Sequence, residues 1–181
     1  MKSVSRLALL AAGLLAAAPL SAQEREGRWD NTISFSPILA LFEVVIADYE
    51  RRVADEATIG LGLGYIPFDE ASDDGEDDGE GSYTALDFKA RFYPDRAFKG
   101  WEFGASLGFA RVAYHDDVTG EEADARGLSD GVEVGHGWLL GDTERFFVGT
   151  AIGAKRFWFD DENDDIPTVM PTGRLSVGIA F

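Results

Sequence analysis

The stretch KGWEFGASLGFARVAY, residues 99–114, decides the fold of this chain. Apolar side chains, all bulky except Ala105, fall on every second position from Trp101 to Phe109, and small or charged residues such as Glu102 and Gly104 lie between them. A period of two is typical of a β-strand with two different faces. A soluble lipocalin-like barrel would turn its apolar side chains inward. Here the bulky face predicts contact with lipid, and the small and charged face predicts a narrow lumen.

The same alternation recurs along most of the chain and predicts eight strands. Most of these segments are long enough to cross a bilayer as tilted strands, which takes about 9–11 residues. The sequence therefore predicts an all-β protein, an eight-stranded antiparallel transmembrane β-barrel. The predicted strands are roughly residues 30–38, 43–53, 58–68, 82–93, 101–114, 126–139, 145–158 and 172–181.

The connectors between these strands alternate between short turns and long acidic loops. Short turns on one side and long loops on the other are typical of outer-membrane barrels. Only the first loop, residues 39–42, is short where a long one is expected. Both ends of an even-stranded barrel lie on the short-turn side, so we expect periplasmic termini and extracellular acidic loops. The short turns are residues 54–57, 94–100 and 140–144.

The negative charge is concentrated in the three long loops. The chain has 33 acidic and 16 basic residues, and segments 69–82, 115–125 and 159–170 hold 18 of the acids and no Lys or Arg. The rest is nearly neutral, so no basic stripe exists to bind nucleic acid. Carboxylates suit weak divalent-cation association, but their spacing does not fit a specific calcium loop, and a solvated self-repelling loop is the alternative. The candidate ligands are Asp73, Asp74, Asp77, Asp78, Asp160, Asp161, Asp164 and Asp165.

The first residues have the features of a cleaved signal peptide. Lys2 and Arg6 precede an apolar run over residues 7–18, and small residues follow up to Ala22. This order predicts a signal peptide over residues 1–22 and one barrel domain over residues 23–181. The chain has no cysteine, which excludes a lipoprotein anchor and disulfide bonds.

Aromatic residues at the strand ends predict two girdles at the membrane interfaces. The predicted periplasmic girdle contains Trp29, Tyr93, Trp101, Trp138, Phe146 and Phe181. The predicted outer girdle contains Phe42, Phe68, Tyr83, Tyr114 and Trp158.

Charged residues on the inward face predict an ionic network in the lumen. An eight-stranded barrel is just wide enough for side chains to fill it, so charges there must pair. A structural plug is the main interpretation, and a narrow path for protons or ions is the alternative. The five acids and five bases are Asp48, Glu50, Arg52, Asp87, Lys89, Arg91, Glu102, Glu133, Lys155 and Arg174.

Several stretches resemble the small eight-stranded barrels of the OmpA-like transmembrane superfamily, and in particular a group of uncharacterised bacterial outer-membrane proteins. The resemblance implies the fold and the outer membrane, but no reaction. The terminal Phe181 after alternating apolar residues is similar to the signal that the barrel-assembly machinery reads. The stretches are DYERRV (48–53), TIGLGLGY (58–65), KGWEFGASLGFARVAY (99–114), GWLLGDTERFFVGTAIGAKRF (137–157) and PTGRLSVGIAF (171–181).

No catalytic constellation stands out. His115 precedes two aspartates and His136 lies between two glycines, but no serine lies within a few residues of either. We therefore predict a non-enzymatic, monomeric outer-membrane protein without cofactor or specific metal. It would support envelope integrity or surface interaction through its acidic loops. Its expected partners are membrane lipid, lipopolysaccharide, the assembly machinery and divalent cations. The alternatives are a lipid-modifying enzyme, since some small barrels use His with Ser and an acid, and a narrow channel for ions or small solutes.

Overall fold

The computed structural model describes residues 29–71, 77–116, 122–159 and 169–181, in which eight strands and one short helix follow each other. The predicted signal peptide lies outside these residues. The strands are β1 (Asn31–Phe35), β2 (Val45–Ala54), β3 (Ala57–Ala71), β4 (Asp77–Phe92), β5 (Gly100–Asp116), β6 (Glu122–Leu140), β7 (Phe146–Phe159) and β8 (Val169–Ala180). Helix α1 (Pro37–Ala40) connects β1 to β2. Among the described residues, no helix has the length and hydropathy that a membrane-spanning helix would need.

The eight strands form one closed antiparallel barrel, which confirms the predicted fold. Each strand pairs with its sequence neighbours, and β8 pairs with β1. A row of paired residues that starts at Met170 crosses all eight strands and returns to β8 at Ala180, ten residues further on. With a rise of about 3.3 Å per residue and strands about 4.8 Å apart, this displacement tilts the strands by about 40°.

The two faces of the barrel are the reverse of those of a water-soluble protein. Large apolar side chains on the outside are exposed, for example Phe109 at 68 % and Ile152 at 70 %. Charged side chains on the inside are buried, with Glu102 at 0 % and Arg91 at 2 %. Charges are rarely buried unless they are paired, and contiguous apolar surface marks contact with another apolar phase. The exterior is therefore built for hydrocarbon.

On the side of the acidic segments, the strands are longer than the sequence predicted. The acidic segments were expected to be loops, but β3 and β4 stay paired as far as Ala71 and Asp77, and β5 and β6 as far as His115 and Glu122. The prediction of loops over all of 69–82 and 115–125 is therefore wrong. Pairing satisfies the backbone groups of both strands, and this outweighs the low strand propensity of acidic residues.

The first strand is shorter than predicted, because a proline stops it. β1 ends at Phe35 instead of residue 38, and the ladder to β2 closes with a bond from Ser36 N to Ile46 O at 3.0 Å. Pro37 has no N–H to donate to a ladder, but its fixed φ suits the first turn of a helix. It begins the single turn of α1, so the predicted strand 30–38 and loop 39–42 are corrected here to a five-residue strand and the segment 36–44.

An apolar cluster fills the end of the barrel that carries the short turns. Its members are Tyr93, Ala97, Phe98, Leu139, Phe147 and Ala180, and Trp29 packs against it. The turn after β4 therefore folds into the barrel mouth, where Phe98 takes a φ of 68°. This corrects the assignment of Tyr93 to the aromatic girdle, since its side chain is fully buried inside the barrel. The alternation along β4 explains the position: Arg91 points in, Phe92 points out, and Tyr93 points in again.

Candidate functional site

The structure brings nine of the ten predicted lumen charges together inside the barrel. They come from six strands, and each occupies an inward position of the alternation. They are Asp48 and Glu50 of β2, Asp87, Lys89 and Arg91 of β4, Glu102 of β5, Glu133 of β6, Lys155 of β7 and Arg174 of β8.

Glycines on the neighbouring strands make room for these long side chains. A Cβ on Gly62 would lie 2.6 Å from Lys89 Cε, and one on Gly104 would lie 2.6 Å from Glu133 Cγ. The inward glycines of β3 and β5 therefore let the ionic side chains cross a narrow lumen. This explains why Gly alternates with bulky residues in those strands.

Arg91 is the centre of the network. Its guanidinium bonds to Glu50 through Nη1 and to Glu133 Oε1 through Nε, the latter at 2.5 Å. Glu50 also accepts hydrogen bonds from Thr58 Oγ1 at 2.8 Å and from Tyr93 OH at 3.2 Å. Glu50 is 1 % exposed, so these five side chains from four parts of the chain form one buried charge cluster.

Arg174 extends the cluster across the barrel to β5. It pairs with Glu102, and its Nε lies 3.9 Å from Glu133 Oε2. Ser176 Oγ accepts from Arg174 Nη1 at 3.2 Å. Three buried polar atoms of the network have no hydrogen-bond partner among the described residues: Arg91 Nη2, Glu102 Oε2 and Arg174 Nε. The pairing is thus dense but not complete.

Two lysines pair on the outer side of this cluster. Lys155 Nζ donates to both oxygens of Asp87, at 2.7 and 2.8 Å, and Lys89 pairs with Asp48. Tyr83 OH lies 3.5 Å from Lys155 Nζ. These pairs face a lumen cavity of about 680 Å³, which apolar side chains such as Phe157 also line. From the short-turn end towards the acidic segments, the lumen therefore contains the apolar cluster, an ionic layer and this cavity.

Arg52 stands apart from the other nine charges. It pairs with Asp30, whose side chain is 58 % exposed, at the short-turn rim of the barrel. A second cluster at this rim joins two of the short turns: Glu144 accepts from Arg96 at 2.6 Å and from Lys99 at 2.7 Å. The hydrogen bond from Lys99 and then that from Arg96 hold the pKa of the Glu144 carboxyl below its usual value.

Two arginines at outward-facing positions lie near the outer rim. Arg111 pairs with Asp124 at 2.5 Å, and the Arg156 guanidinium lies 3.7 Å from the centroid of the Trp158 ring. The strand register passes both arginines without a shift, so neither marks a bulge. Both side chains put a cation at the level where headgroups would lie.

The remaining sequence candidates are placed less fully. Of the eight candidate cation ligands, six lie outside the described residues, and Asp77 and Asp78 belong to β4 by their backbone alone. Within the described part of the chain, no group of three or more potential metal ligands comes together. Phe181 bonds to the first strand: its N donates to Asn31 O, and its O accepts from Asn31 N, both at 2.9 Å.

The two histidines are far apart along the barrel. His136 stacks on the membrane-facing side between Trp101 and Trp138, with ring centroids 5.6 and 4.4 Å away. Its Nδ1 has no hydrogen-bond partner within the described part of the chain. His115 pairs with Glu122 in the ladder at the outer end of β5.

An apolar exterior around a charged, largely filled lumen defines a small barrel of the outer-membrane type. The fold is similar to the N-terminal β-barrel domain of Pseudomonas aeruginosa OprF, with a TM-score of 0.53 and 16 % identity over 86 % of this chain and 100 % of that domain. Neisserial surface protein A is also similar, with a TM-score of 0.45 and 11 % identity over 83 % of this chain and 92 % of that one. No protein family and no curated protein sequence matches the chain. At these identities the likeness concerns the fold.

Proposed function

We propose that this chain is an integral outer-membrane protein that catalyses no reaction and supports envelope integrity through its acidic extracellular loops. The observation that carries the proposal is the exposed apolar belt around a closed barrel. Closure leaves no lipid-facing sheet edge along most of the wall, which a strand-built protein needs in a bilayer. Surface interaction through the same loops is the second role that their charge supports.

The layered lumen favours a plug over a path for ions or polar solutes. The apolar cluster at the periplasmic end and the ionic layer above it lie in series across the axis. An ion that crossed them would have to part buried pairs and pass Tyr93 and Phe98. In a low-dielectric interior, separating such a pair costs several kcal/mol, roughly 3–5 when one partner is removed.

Acidic and basic groups lie at different heights on the outer rim and would bind partners of opposite charge. The acidic loops would attract divalent cations, and the cations of Arg111, Arg126 and Arg156 would meet the phosphates of lipopolysaccharide just below. Phe181, at the end of β8, would be read by the barrel-assembly machinery. With the loops outside, the termini and short turns are periplasmic, and the barrel acts as a monomer without nucleic-acid contact.

A lipid-modifying activity has little support in the described part of the chain. A hydrolase of this kind would need a base that a nucleophile can reach. His136 instead lies between two indoles on the belt, and Ser36, which lines the same groove, donates its hydroxyl to Leu175 O and not to the imidazole. The function that fits these residues is therefore non-enzymatic.

The role in envelope integrity can be tested in cells that lack the protein. We expect such cells to become more sensitive to chelators and detergents. Wild-type protein should restore resistance, whereas a variant with the loop aspartates changed to asparagine should not, although it should reach the outer membrane in equal amount. Full restoration by the asparagine variant would contradict the assigned role of the loops.

A further inference from the structure

The barrel wall has a gap on its outer half between β8 and β2. The β1–β8 ladder contains four pairs and ends at Phe35 and Val177. Beyond that point β8 pairs only with β7, through residues 169–176. On the other side of the gap, Val45 of β2 pairs only with β3, and Ile46 has besides β3 the single bond from Ser36 N. An uncovered sheet edge is unfavourable in hydrocarbon, so the covering of this gap matters.

The segment after β1 covers the gap only in part. The Ser36 hydroxyl donates to Leu175 O of β8, and Val44 N donates to Leu39 O at 3.1 Å. Helix α1 is one turn long, and no residue within it is fully buried. Side chains of a single helical turn therefore separate the lumen from the membrane side here, where a paired strand separates them elsewhere.

A groove of about 570 Å³ runs along the membrane-facing side of this gap. Its apolar lining includes Ile38, Leu39, Trp101, Ile152 and Leu175, and His136 and Thr150 line it as well. The position of the groove along the membrane normal follows from β7. Ile152 lies six residues from Phe146 and six from Trp158, the aromatic residues near the two ends of that strand. Gly173 pairs with Ile152, so the groove opens near the middle of the bilayer.

The groove and the lumen cavity meet at Leu39 and Gly173. Both residues line both spaces, together with Ala151, Ile152 and Arg174. A Cβ built on Gly173 meets no atom within 4 Å, so the groove is open at this position. Gly173 has no positive φ, and a larger residue fits there without backbone strain. The half-buried Leu39 is then the side chain between the two spaces.

We infer that this gap is a lateral binding site and passage for a small, uncharged, apolar solute between the lumen cavity and the bilayer. The inference rests on the proposed membrane location, but not on the role in envelope integrity. The ionic layer and the apolar cluster close the axial direction towards the short turns, so the gap offers the cavity a second way out besides the mouth on the side of the acidic segments. At mid-bilayer depth the medium outside is hydrocarbon.

Charge decides the chemistry of the solute. The acidic segments 69–82, 115–125 and 159–170, with 18 acids and no base, repel anions such as fatty-acid carboxylates from the outer mouth. Each base of the ionic layer already pairs with at least one acid, so its charge is largely compensated although Arg91 Nη2 and Arg174 Nε have no hydrogen-bond partner among the described residues. An anion would therefore regain little of the free energy of its lost hydration there. An uncharged alkyl or aromatic solute avoids both costs and gains the contact of the apolar lining.

Photolabelling of the protein in lipid vesicles tests the passage. The probe is an uncharged medium-chain alkyl diazirine, and mass spectrometry maps the labelled residues. We expect label on lumen residues such as Phe157 as well as on belt residues such as Leu107. Gly173→Leu fills the groove and should lower lumen labelling about tenfold, the scale of adding a small apolar group to a fitted pocket. Leu39→Ala should raise it.

The controls separate this inference from the membrane location. Ala90→Leu adds the same side chain to the belt away from the groove, and it should leave lumen labelling unchanged. The shift in gel mobility on heating checks that each variant is folded. A carboxylate probe of the same chain length should label the lumen less. Belt labelling without lumen labelling, or lumen labelling that Gly173→Leu does not lower, would overturn the passage. A lack of belt labelling would overturn the membrane location itself.

Discussion

Replacing Arg91 should lower the free energy of unfolding of the barrel more than replacing any exposed charged residue. Arg91 and Glu50 are each 1 % exposed at the side chain, and Glu133 is 20 % exposed. Arg91→Ala leaves two carboxylates without their shared cation in a low-dielectric site. Breaking a buried pair in this way costs roughly 3–5 kcal/mol. Thr58 and Tyr93 would still donate to Glu50, which places the expected loss near the lower limit, about 3 kcal/mol.

A double variant separates the lost charge pairing from lost packing. Arg91→Met with Glu50→Gln keeps most of the volume and removes both charges of the most buried pair. Replacing both partners of such a pair is often close to neutral, so we expect the double variant to lie within about 1.5 kcal/mol of wild type. Glu133 keeps Arg174 nearby, with Nε at 3.9 Å.

Denaturant unfolding in lipid vesicles measures these losses, with the fluorescence of the four tryptophans as the signal. Arg111→Ala is the matched control, because it breaks an arginine–carboxylate pair on the exposed outer rim, where an ion pair contributes little. The reasoning is refuted if Arg91→Ala shifts the midpoint no more than Arg111→Ala. It is also refuted if the double variant is less stable than Arg91→Ala.

Three further predictions concern orientation, assembly and pH. The chain has no cysteine, so a single Cys at Asp74 should react with an impermeant maleimide on intact cells and one at Asp142 should not; the reverse pattern would overturn the orientation. Deleting Phe181 removes its hydrogen bonds to Asn31 and should deplete the protein from the outer membrane, and normal levels would contradict the assembly role. The pKa of Glu144 is lower in the folded than in the unfolded protein, so its ionised carboxylate stabilises the fold above the unfolded-state pKa. This stabilisation is lost as the pH falls through the folded-state pKa. Glu144→Gln should therefore shrink the stability difference between about pH 6 and about pH 3, and an unchanged difference would exclude this carboxyl as its source.

The fold could be predicted because alternate residues of a membrane barrel face lipid and lumen, and each environment selects its own residue types. Strand β5 shows this: Phe103 and Leu107 meet hydrocarbon while Glu102 and Ser106 meet the lumen, and no other arrangement satisfies both sets. The same alternation would have placed Tyr93 and Phe147 inside, since each follows an outward phenylalanine. An aromatic residue at a strand end also suits the membrane interface, so the sequence predicts Tyr93 in the girdle. Only the tertiary fold of the next turn decides between the girdle and the barrel interior.

Other features depend on contacts that one strand does not reveal. Inward charges predict that pairs must form, but the partners of Arg91 come from β2 and β6, and the barrel displacement sets which of them meet. The gap beside β8 follows from Pro37, which ends β1 early. The proline was visible in the sequence. The width of the opening was not, because it depends on how far β2 and β8 extend past that point.

The bonds between Asn31 and Phe181 constrain the order in which the barrel can form. They join the first strand to the last residue of the chain, and the seam between β1 and β8 has four further pairs, fewer than any other seam. Contacts so distant in sequence carry the largest loop-closure cost and are formed slowly. The cylinder therefore cannot shut until the whole polypeptide has been delivered. Until then β1 and β8 present two open edges in an otherwise nearly complete sheet, and whatever holds those edges apart controls the final step of folding.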